Sequence, residues 1–147
     1  MSLLTKLYAG EITKQEYADA AFAALIEQGR FGWLDDEDRC VYSYGGSCCV
    51  IGITMDDAQK KIAADKTYSA DRIAQLLRLE TDSYDLADFL VALQRVHDSA
   101  ACFASSDKTP VSLAKMKQLI RTAWITADDP RFRQLLDTIV LPPVLAA

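Results

Sequence analysis

Arg39-Cys40-Val41-Tyr42-Ser43-Tyr44-Gly45-Gly46-Ser47-Cys48-Cys49-Val50-Ile51-Gly52-Ile53 is the stretch on which the fold class turns. Its two arms are rich in aromatic and β-branched residues, which suit a pleated, half-buried surface. Gly45-Gly46 separates them, and a two-residue loop of this kind suits a primed turn, whose central positions need positive φ. The stretch predicts a β-hairpin. That turn sets the register: Tyr44 opposite Ser47, Tyr42 opposite Cys49, and Cys40 opposite Ile51. One face then carries Cys40, Tyr42, Tyr44, Cys49, Ile51 and Ile53. The other carries Val41, Ser43, Cys48, Val50 and Gly52. The first face is the more apolar and is expected to lie on helices, because two strands alone are marginal in water.

Working outward, the flanks read as helix. Thr13 and Glu16 form a T-x-x-E capping box, with Ile12 and Tyr17 placed as a hydrophobic staple. Ala18, Phe22, Leu25 and Ile26 recur at helical spacing, and Gly29 supplies a C-terminal cap, so a helix is predicted over about 14–28. Thr54 is read as the cap of a helix running to about Asp65, with Ala58, Ile62 and Ala63 inward. Ser69 is read as the cap of another, carrying Ile73, Leu76 and Leu77. The longest helix is expected from Asp82 or Ser83 to about Phe103. Its inner stripe is Leu86, Phe89, Leu90, Leu93, Val96, His97 and Ala100. Thr109-Pro110 and Asp129-Pro130 each give an N-cap followed by proline at the first helical position. The expected fold is therefore α+β: a single domain over 1–147, with five or six helices packed around one small antiparallel β-hairpin.

Composition bounds the function. Half of the 147 residues are apolar and a quarter are charged, which is ordinary globular usage. The net charge of −5 argues against direct binding of nucleic acid or of an anionic membrane. No apolar run approaches the ~20 residues that span a bilayer. The N-terminus has no basic segment followed by a long apolar one, so no signal peptide is expected and a cytoplasmic location is. Cysteines 40, 48, 49 and 102 include no C-x-x-C, and reduced thiols acting as small core residues are expected. A P-loop, a G-x-G-x-x-G, a G-x-S-x-G and a paired-histidine motif are all lacking.

A few side chains can still be weighed for chemistry. His97, the sole histidine, shares the stripe of Leu90 and Leu93, so a buried structural imidazole is the plain reading. The sharper one is a Cys–His enzyme. Cys49 would be the nucleophile, His97 its base, and Asp98 the third group. Neighbours on a helix point about 100° apart, so Asp98 is expected to be poorly placed to orient His97. A zinc site from Cys40, Cys49, His97 and Cys102 would need local unwinding, because five helical positions separate His97 from Cys102. No metal and no cofactor are expected. Asp35, Asp36, Glu37 and Asp38 form the densest acidic run, and with Tyr42 and Tyr44 they make the candidate binding surface.

The order Gln28-Gly29, Cys40-x-Tyr42, Cys49-x-x-Gly52 and Leu93-Gln94-x-x-His97-Asp98 resembles a group of small uncharacterised phage and prophage proteins. The likeness covers about residues 14–100, and this chain departs from the pattern in its Gly-Gly turn and in Cys48. The resemblance implies an origin rather than an activity: accessory proteins of phage often bind and block host machinery. The expected role is thus a non-enzymatic inhibitor or interaction protein in the bacterial cytoplasm, binding a host or defence protein. The Cys49–His97 enzyme is the alternative, and a homodimeric structural protein is a third reading.

Overall fold

A computed structural model of the chain describes residues 1–29, 33–34, 39–40, 42–44, 47–64, 70–79, 84–105 and 118. The described residues are dominated by five α-helices: α1 (Leu3–Tyr8), α2 (Lys14–Gln28), α3 (Asp57–Ala63), α4 (Ala70–Leu76) and α5 (Tyr84–Ser105).

This overturns the α+β expectation: the described residues are mainly helical, and the hairpin predicted over 39–53 is not shown among them, although Tyr44 does pair with Ser47. Among the described residues between α2 and α3, extended pairing is confined to two-residue pieces. β1 (Trp33–Leu34) pairs with β2 (Arg39–Cys40), and β3 (Ser43–Tyr44) with β4 (Ser47–Cys48). Cys40 faces Trp33 rather than Ile51. After Cys48 the chain coils instead of extending. Ile53 N–H donates to the Cys49 carbonyl at 2.9 Å, and a 3-10 turn covers Gly52–Thr54. The physical reason is burial on every side. Cys49, Val50, Ile51 and Gly52 are all buried, so the segment has no solvent face to impose a period of two. A short continuous apolar run fits a strand or a buried coil equally well, and only its surroundings decide.

The helix signals that rested on capping chemistry hold. The Thr13 hydroxyl accepts from Glu16 N–H, and the Glu16 carboxylate accepts from Thr13 N–H, both at 3.1 Å. Gly29 closes α2 in the left-handed region, at φ 78°. Thr13→Ala is expected to cost about 1 kcal/mol, read as a lower urea midpoint; an unchanged midpoint would show that the cap is dispensable.

α3 begins later than expected. Asp56, not Thr54, is its cap, in a reciprocal box with Gln59. Its inward face is also narrower: Ala63 is buried, whereas Ala58 and Ile62 are exposed. In α4, Ile73 is buried, Leu77 partly so, and Leu76 exposed. That helix ends with Arg78 at φ 58° and a Leu79 N–H bond back to the Ala74 carbonyl, a Schellman-type stop with arginine in glycine's usual place. α1 is a helix the sequence reading did not place. Ser2 caps it through Thr5 N–H, and it buries Leu4 and Leu7. The expected caps at Ser69, Thr109 and Asp129 lie outside the described residues, as do Gly45 and Gly46.

One core joins these pieces. Tyr17, Ala18, Ala21, Phe22, Leu25 and Ile26 of α2 meet the Cys49–Ile51 turn and the α5 stripe Leu86, Phe89, Leu90, Leu93, Val96 and Ala100. The α5 stripe is buried as the periodicity predicts. β1 and β2 lie against α5, and β3 lies against α3. In or next to these extended pieces, Tyr42, Cys48 and Cys49 are buried.

Candidate functional site

Gln28, Gln94 and Tyr17 come together around the 42–54 segment. The centre is the turn at Cys49-Val50-Ile51-Gly52. The Cys49 thiol accepts the Gly52 N–H at 3.3 Å, a cap built from sulfur rather than oxygen. Gly52 itself lies against the backbone of Tyr42. A Cβ built at Gly52 would overlap the Tyr42 carbonyl oxygen. The C-x-x-G spacing therefore has a steric meaning: a thiol caps the turn, and the last residue can carry no side chain.

Two helices hold this segment in place. From the end of α2, Gln28 uses both ends of its amide. Its Nε2 donates to the Cys48 carbonyl, and its Oε1 accepts from the Cys48 N–H, each at 2.9 Å. The side chain thus satisfies a buried main-chain unit as a neighbouring strand would. From α5, Gln94 Nε2 donates to the Tyr42 hydroxyl at 3.0 Å. From the start of α2, Tyr17 reaches Thr54 at 2.8 Å. Thr54 Oγ1 already donates its proton to the Ile51 carbonyl, so in this pair Tyr17 is the donor. The Tyr17 ring also meets Phe89 edge-on, with centroids 6.2 Å apart.

The Tyr17 hydroxyl has its pKa pushed well above the ordinary tyrosine value. Burial is the main cause, and the nearby Cys49 and Tyr8 add to it; the Thr54 hydrogen bond pulls the other way. The sign for stability follows. Above the unfolded value of about 10, the unfolded chain releases a proton that the folded chain keeps, so stability falls as pH rises beyond that point. Stability measured by helical circular dichroism is expected to decline above about pH 10, and less steeply in Tyr17→Phe. Equal slopes in the two proteins would assign the alkaline transition to other groups.

His97 is completely buried, at 0% exposure, as its place in the α5 stripe predicts. Its Nδ1 lies 3.0 Å from Asp98 Oδ1. An ionised carboxylate can only accept, so Nδ1 carries the proton and donates to Asp98. The expectation that Asp98 could not orient its neighbour is thus overturned. Asp98 stands at the rim of the buried stripe, 37% exposed at its side chain, and from there its short carboxylate reaches the adjacent ring. A carboxylate holding Nδ1–H is the arrangement a general-base histidine uses. Here both the imidazole and the Cys49 thiol are sealed from solvent, at 0% exposure each.

The remaining candidates fall elsewhere. Tyr42 was expected on a binding surface, but it is 2% exposed and belongs to the core. Tyr44 lies in β3; its side chain is outside the described residues, as are all of Asp35, Asp36, Glu37 and Asp38. Cys48 and Cys49 carry reduced thiols, as expected. The side chains of Cys40 and Cys102 are outside the description. Among the described residues, no cluster of three or more His, Cys, Asp or Glu could hold a metal ion. Nor is any described helix long and apolar enough to cross a membrane.

Gln28, Gln94, Thr54 and Tyr17 do more at this site than the sequence reading assigned them. Two of them carried a usable signal: Gln28 precedes a C-cap glycine, and Gln94 interrupts an apolar stripe. A long amide in either position has main chain or hydroxyl groups within reach. Comparison of the chain with family models, with curated proteins and with solved structures finds no match.

Proposed function

We propose that the chain is a non-catalytic accessory protein of phage or prophage type, which acts by binding a host or defence protein in the bacterial cytoplasm. The supporting observation is the complete burial of Cys49 and His97, the two residues any thiol–imidazole chemistry would need at a surface. Their hydrogen bonds are those of a core: the thiol caps a turn, and the imidazole is held by its helix neighbour. Groups used in this way for packing leave recognition to the surface. The acidic run Asp35, Asp36, Glu37 and Asp38, with Tyr44 close in sequence, is the binding surface proposed, and it suits a cationic partner.

The second reading, an enzyme using Cys49, His97 and Asp98, draws on the His97–Asp98 hydrogen bond. Alkylation separates the two. Iodoacetamide is expected to modify Cys49 slowly in the native protein and at the same rate in His97→Gln, because a sealed thiol presents no thiolate to the reagent. A fast reaction abolished by His97→Gln would overturn the binding proposal in favour of the enzyme. The surface is tested by capture from a bacterial lysate. Neutralising all four acidic residues (to Asn and Gln) is expected to release the captured protein. Undiminished capture would refute the acidic surface.

A further inference from the structure

We draw no further inference here: the strongest candidate, the buried His97 imidazole bonded to the solvent-reaching carboxylate of Asp98 on α5, belongs to the site already described.

Discussion

Gly52→Ala is expected to destabilise the protein by about 3 kcal/mol or more, beyond the usual range for one added methyl group. The new Cβ would meet the carbonyl oxygen, carbonyl carbon and Cα of Tyr42, which are main chain and cannot rotate aside. Both partners are also anchored. Gly52 N–H is held by the Cys49 thiol, and the Tyr42 hydroxyl is tied to Gln94. Relief therefore requires the turn to lift off the segment carrying Tyr42, which would open the core around Cys49 and Ile51. Domains of this size are stable by only about 5–15 kcal/mol, so a large share of the total is at stake. Gly10→Ala is the internal control. Gly10 has φ +74° and nothing within 4 Å of an added Cβ, so its substitution strains only the local backbone and is expected to cost about 1 kcal/mol. Urea denaturation of the two variants gives the comparison. Equal midpoints would show that the turn and Tyr42 are not in close contact.

Gln28→Ala is expected to cost about 2–3 kcal/mol. The substitution removes both partners of the Cys48 peptide unit at once, and Cys48 is only 5% exposed. Each buried main-chain group left without a partner costs about 1–3 kcal/mol, and partial access of water sets the total below the sum of two full penalties. Gln28→Glu distinguishes hydrogen bonding from bulk. The two side chains have nearly the same size, but a carboxylate cannot donate to the Cys48 carbonyl and sets a negative charge against it. Glutamate is therefore expected to destabilise about as much as alanine. A silent Gln28→Glu would mean that the side chain acts through packing alone, and the pairing of α2 with the 48–49 segment would lose its energetic role.

These two residues also show where the sequence was legible. Gln28 sits beside Gly29, whose role as a helix stop could be read directly, yet the target of its amide lies 20 residues away. Gly52 occupies the end of a run that reads naturally as strand. Its real constraint comes from a backbone ten residues earlier, and no local pattern carries that information. His97 shows both sides. The spacing to Leu90 and Leu93 foretold its burial, because a helix with a period of 3.6 brings those positions to one face. The bond to Asp98 was missed, because angular separation at the helix surface says little about how far a short side chain can lean.

α3 and the 39–53 stretch show the same division. Asp56 and Gln59 form a complete capping box written in four consecutive letters, but the sequence reading places the cap at Thr54. The choice went to Asp56 because Thr54 is used by Tyr17 and by the Ile51 carbonyl. The Thr13–Glu16 box, the Gly29 stop and the buried stripe of α5 depend on neighbours within one or two turns, so the sequence by itself determined them. Whether Cys49–Ile53 would extend or coil depended on what surrounded it. Tertiary structure decided that, because Cys49, Val50 and Ile51 are buried in one core with residues of α2 and α5, and Gln28 of α2 holds the main chain of Cys48 just before the turn.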